Sequence, residues 1–195
     1  MLTMDLPPSI TAATGMDALT HHIEAYLAKG FHPLCDGIAL EGIRLIHESL
    51  EAAVKKPTPS SRANMMIAAL MGAVAFQKGL GLIHSMAHAL STHKDLHHGL
   101  ANALMMPAGL KFNQGSVAEK INRIEKHIGI HHSLPDYTHE LAMKIGLPTD
   151  LSSQGIEDND IDKLAKLAYL DGCHQCNEVT VTEQNFKQLF REALH

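Results

Sequence analysis

The chain has no tryptophan, three tyrosines and five phenylalanines, so aromatic residues make up only 4% of its 195 positions. Hydrophobic residues still reach 45%, and the interior falls to Ala, Leu, Ile and Met, a set that suits closely packed helices. Positive charge is also in short supply. Sixteen Lys and Arg stand against 21 Asp and Glu, for a formal charge of −5, and without a basic stripe no nucleic-acid partner is expected. Three cysteines, Cys35, Cys173 and Cys176, are too few and too unevenly placed for a disulfide framework. The longest nearly continuous apolar run, Met65 to Phe76, falls well short of the roughly 20 residues that cross a bilayer. It reads instead as a central core helix, and no membrane partner is expected. MLTMDLPPSI lacks the basic and apolar segments of a secretion signal, which makes the expected protein soluble and cytoplasmic.

Strand-like alternation is equally scarce, apart from a brief NEVTV, and there is no Gly-rich phosphate loop. The helical pattern covers the rest. A first helix is expected from Thr11 to about Ala28, entered after Pro7-Pro8. A second runs from about Pro33 to Val54, with Ala39, Gly42, Ile43, Ile46, Leu50 and Ala53 on one stripe. KPTPSS is a loop whose serines are candidate caps for a helix reaching about Lys78. Gly79 and Gly81 mark a break before a short helix at His84, and another runs from His98 to about Phe112. Further helices are expected over Val117–Ile128, Pro135–Ile145, Asp160–Leu170 and Thr182–Leu194. GLPTDLSSQGIEDND is the clearest loop, with Asp160 as a candidate cap. At this length the expected architecture is one all-α helical bundle over residues 1–195.

Four residues within that pattern have metal-site chemistry. Asp17 and His21 are four apart in TGMDALTHHIEAY and share one helix face, one turn apart. His84 opens HSMAHAL and His98 opens HGLANALMMP, each near a helix terminus. One carboxylate with three imidazoles suits iron(II) or zinc(II) far better than calcium or magnesium. Spacing alone leaves His22, His88 and His97 as competitors. It also leaves open a plain i,i+4 polar pair at Asp17 and His21.

The segments TAATGMDALTHHIEAY and GLGLIHSMAHALSTHKDLHHGLANALMMP resemble the iron-containing (group III) alcohol dehydrogenases, and more narrowly their C-terminal helical, metal-binding domain in the dehydroquinate synthase-like fold. CDGIALEGIRLI, KIGLPTDLSSQGI and TEQNFKQLFREAL extend the resemblance over essentially the whole chain. It implies that Asp17, His21, His84 and His98 hold Fe(2+), with Zn(2+) the alternative, and that His88 lies in the cleft near substrate and nicotinamide. Asn102 belongs to the same HGxxNA motif. The activity implied is reversible NAD(P)-dependent oxidation of an alcohol to an aldehyde or ketone. The glycine-rich dinucleotide-binding domain of that family has no counterpart here, and MLTMDLPP resembles the passage between its two domains. The chain is therefore expected to be a metal- and substrate-binding half with little activity of its own, needing a cofactor-domain partner or pairing as a homodimer. A non-catalytic metal-binding or interaction module is the alternative. His22, His93, His97, His131 and His132 are expected at the surface, and Cys173 and Cys176 as incidental reduced thiols.

Overall fold

The computed structural model describes residues 3–195; Met1 and Leu2, which begin the MLTMDLPP passage, lie outside them. Nine α-helices hold most of the described residues, with no strand among them, NEVTV included. The first five are α1 (Pro8–Leu27), α2 (Pro33–Lys55), α3 (Pro59–Ala75), α4 (Leu82–Lys94) and α5 (His98–Asn113). They are followed by α6 (Ala118–Ile128), α7 (Leu134–Lys144), α8 (Ile161–Leu170) and α9 (Glu183–Glu192). Each expected helix is present, with ends displaced by a few residues.

Local chemistry sets most of the starts. Proline occupies the beginning of α1, α2, α3 and α7, where its missing N–H is no loss. The cap of α3 is Thr58 rather than a serine, because Pro59 takes the first helical position and leaves Ser61 to close a reciprocal capping box. Asp160 does not cap α8 through its side chain. Its carboxylate instead accepts from the Glu157 amide and pairs with Lys94 at 2.7 Å and His93 at 3.1 Å. His93 is accordingly half-buried, not on the open surface as expected.

The helix α1 is the axis of the bundle, packed against α2, α3 and α5, while α4 joins α5 to α8 and α9 closes over α8. Its burial corrects the expectation for His22. This side chain is fully enclosed, with Nε2 2.8 Å from the Ala68 carbonyl oxygen. Gly42 makes room for it: a Cβ there would lie 2.0 Å from the ring.

The expectation for Met65–Phe76 is also overturned. It lies in an outer helix, not a central one. Ala68, Gly72 and Ala75 face inward, while Met66, Ile67, Leu70 and Val74 are exposed, Leu70 by 68%. A run apolar on every side cannot say which side is covered. Past it, Gly79 (φ +132°) turns the chain through 110° into α4. Among the described residues no single helix is long and apolar enough to cross a membrane.

Candidate metal centre

Three helices converge on one notch. Asp17 and His21 project from the middle of α1, His84 from the first turn of α4, and His98 from the first residue of α5. Close backbone approach makes this possible. Gly99 lies so near α1 that a Cβ would stand 2.2 Å from the Ala13 carbonyl oxygen, and any other residue would push His98 away from Asp17.

Asp17 Oδ1 is 3.3 Å from His98 Nε2 and 3.6 Å from His84 Nε2. One donor atom from each of the three lies within 4.8 Å of the others. Donors sharing a metal with bonds near 2.1 Å stand about 3–3.5 Å apart, so the gathering is already close to that scale. His21 is looser. Its Nδ1 is 3.9 Å from Asp17 Oδ2, and its ring stacks on His84 at 4.6 Å and lies 5.2 Å from Phe76.

His84 is 1% exposed, and among the described residues its Nε2 has no hydrogen-bond partner. The 3.6 Å to Asp17 is too long for one. Asp17 and His21 are about a fifth exposed, His98 35% and His88 40%, so the notch is closed behind His84 and open in front.

Charge is divided unevenly across it. Burial would raise the Asp17 pKa, but the imidazoles of His84, His98 and His21 around it hold the carboxyl well below the usual carboxylate range. Burial lowers His21 to about 4, against the opposing pull of Asp17. Burial would lower His84 too, yet Asp17 and Glu24 outweigh it and raise it to about 9. At neutral pH these shifts favour an anionic Asp17, a neutral His21 and a protonated His84.

Two supporting residues escaped sequence reading. Glu24, 3% exposed on α1, accepts from His84 Nδ1 at 2.7 Å and from the Ile83 and His84 amides at 2.7 and 3.2 Å. The signal for it was an absence: α4 starts at Gly81 with no local side-chain cap, so an acceptor had to come from elsewhere. Asp171, after α8, accepts from His88 Nδ1 at 2.9 Å and also from Ser85 and the Cys173 amide. His88 stacks on His98 at 5.2 Å and so stands beside the cluster. Asn102 donates to Asp17 Oδ1 at 2.7 Å and lies 3.1 Å from His98 Nε2.

A second trio, His88, Asp171 and Cys173, also comes within ligand distance. Burial and Asp171 push the Cys173 thiol up to about 12, which makes it a poor thiolate donor. His97, His131 and His132 are exposed as expected.

A helical bundle whose first, fourth and fifth helices bring a carboxylate and two imidazoles to one point, with a third imidazole beside them, has the makings of a transition-metal centre. Residues 11–194 match the C-terminal domain of the Fe-containing alcohol dehydrogenase family, and the chain belongs to that family. It is 37% identical over 207 residues to a 4-hydroxybutyrate dehydrogenase of Cupriavidus necator, covering 99% of this chain and 54% of that protein. To an NAD-dependent methanol dehydrogenase of Bacillus methanolicus it is 35% identical, again over 99% of this chain and 54% of the relative. Its structure superposes on that of a 1,3-propanediol oxidoreductase with a TM-score of 0.93 and 34% identity, covering 98% of this chain and 53% of the other. The chain thus spans about half the length of the relatives it matches, and the matching half is their C-terminal one.

Proposed function

We propose that this chain is the metal- and substrate-binding half of an iron-type, NAD(P)-dependent alcohol dehydrogenase, interconverting an alcohol with its aldehyde or ketone in the cytoplasm. Asp17, His21, His84 and His98 would hold the iron(II), with zinc(II) the alternative. The observation that carries this reading is the buried, unpartnered Nε2 of His84, aimed at Asp17 and His98. Among the buried polar atoms without a partner in the described residues, this one stands within ligand distance of a carboxylate and a second imidazole, and an ion among these donors would satisfy it.

The bound ion supplies Lewis acidity toward the substrate oxygen. The chain's own residues prepare for that. Asn102 fixes the Asp17 carboxylate by donating to it. Asp171 takes the Nδ1 side of His88, so Nε2 is the nitrogen left to meet substrate and nicotinamide. Phe76 shields one side of His21. The exposed Met66, Ile67, Leu70 and Val74 on α3 support a covering partner, either a cofactor-binding domain or a second copy of the chain.

The test begins with untagged chain prepared without oxygen, its metal content read by elemental mass spectrometry. About one equivalent of iron or zinc is expected, lost in Asp17→Ala, with little dehydrogenase activity until a dinucleotide-binding half is supplied in trans. A folded chain that takes up neither ion would overturn the metal reading. Vigorous NAD(P)-dependent turnover by the chain alone would overturn its status as a half.

A further inference from the structure

Behind the notch, Glu24 is a carboxylate with an unusual set of neighbours. It is 3% exposed, and among the described residues no Lys or Arg pairs with it. Burying a carboxylate without a cationic side chain is costly unless hydrogen bonds replace the lost water, and here they do. Oε1 accepts the Ile83 amide; Oε2 accepts the His84 amide and meets His84 Nδ1. The amides belong to the first turn of α4, where the helix dipole also favours a negative charge. Both oxygens are already acceptors, so the third contact has His84 donating from Nδ1.

We infer that Glu24 is the positioning residue that makes His84 a ligand: it holds the imidazole proton on Nδ1 and so reserves Nε2 for the ion. This rests on the metal-centre reading above and adds to it a residue that never touches the metal. Two further observations support it. Nε2 is the buried ring nitrogen with no partner. Gly81, the cap residue of α4, is where a Cβ would lie 2.6 Å from Glu24 Oε1, so glycine there lets the carboxylate reach the helix start. Glu24 and Asp17 are seven residues apart on α1, two turns of one face. The same helix therefore supplies two ligands directly, Asp17 and His21, and orients a third from behind.

The chemistry requires a carboxylate, not merely a polar side chain of that length. A glutamine has one acceptor and one donor end. With its oxygen on the Ile83 amide, its NH2 faces Nδ1 and drives the ring proton to Nε2, where it blocks ligation. Turned the other way, its NH2 meets the Ile83 N–H. Either orientation sets donor against donor.

The experiment compares wild type, Glu24→Gln and Gly81→Ala. Zinc affinity is measured by competition with a chromophoric chelator. The His84 ring protons are assigned in zinc-loaded protein by long-range 1H–15N correlation. Wild type is expected to show Nδ1–H with Nε2 bound to zinc, and E24Q to bind zinc about 10- to 100-fold more weakly, the usual scale for losing such a support. G81A, which keeps the carboxylate but displaces it, is expected to move the same way, and it decides the matter if E24Q fails to fold. A variant that binds zinc within about twofold of wild type, with Nδ1–H intact, would reduce Glu24 to a helix cap and overturn the inference. Wild-type chain that takes no zinc at all would overturn the metal reading and this inference with it.

Discussion

The raised pKa of His84 means that loading an ion would have to expel a proton from it. The perturbation is pH during a zinc titration. With His84 raised from 6.5 to about 9, the site holds the proton about 3 kcal/mol more firmly than an unperturbed histidine would. Asp17 lies well below the usual range and His21 near 4, so neither exchanges protons above pH 7. Zinc binding at pH 7.5 should therefore release close to one proton from His84, and affinity should climb close to tenfold from pH 7.5 to 8.5. Calorimetry in two buffers of different ionisation enthalpy reads the proton directly. Flat affinity with no proton released from His84 would refute the charge assignment, since His84 would then be neutral before the ion arrives. The same proton has a second signature without metal. A pKa raised on folding contributes stability that is full below about pH 6.5 and is lost as pH rises through 9. His21 works oppositely: its lowered pKa costs no stability above 6.5 and destabilises as pH falls toward 4.

Gly42→Ala should destabilise the chain by about 2 kcal/mol: overpacking costs about 1–3 kcal/mol, a Cβ there would lie 2.0–2.5 Å from the enclosed His22 ring, and the helix-propensity gain of up to about 1 kcal/mol offsets part. Thermal melting should fall by about 4–8 °C for a domain of this size, and an unchanged midpoint would mean His22 moves freely. Leu70→Glu, at a side chain 68% exposed, should leave the melting of the isolated chain within about 0.5 kcal/mol of wild type while reducing light scattering at high concentration. A large loss of stability would mean that Leu70 is already covered in solution.

The helices were legible because Pro, Gly and Thr punctuate them locally, and the shared face of Asp17 and His21 because they are one turn apart. What stayed hidden was non-local. The carboxylate that caps α4 lies 59 residues before the amide it serves, and Asp171 lies 83 residues after His88. No short-range pattern connects such pairs. The misread position of α3 has a different cause. Its apolar residues are nearly consecutive and so wrap the whole helix, and only packing decides that Ala68, Gly72 and Ala75 face inward. His22 was misjudged from its neighbour: His21 faces the notch, so the next residue was expected outside. In a helix enclosed on most sides by α2, α3 and α5, stepping off one face leads only to another buried one. Gly42, on the expected α2 stripe, was the available clue that something large fills the space beside it.

The close approach of Gly99 to Ala13 gives the notch a property beyond its shape. Because α5 is clamped to α1 by backbone contact, and α4 by Glu24, protein packing itself brings the donors together into a socket. Such a socket takes what its surroundings supply, since imidazole and carboxylate donors accept several first-row ions. The metal in this protein would then record the metal economy of its cell as much as its own sequence.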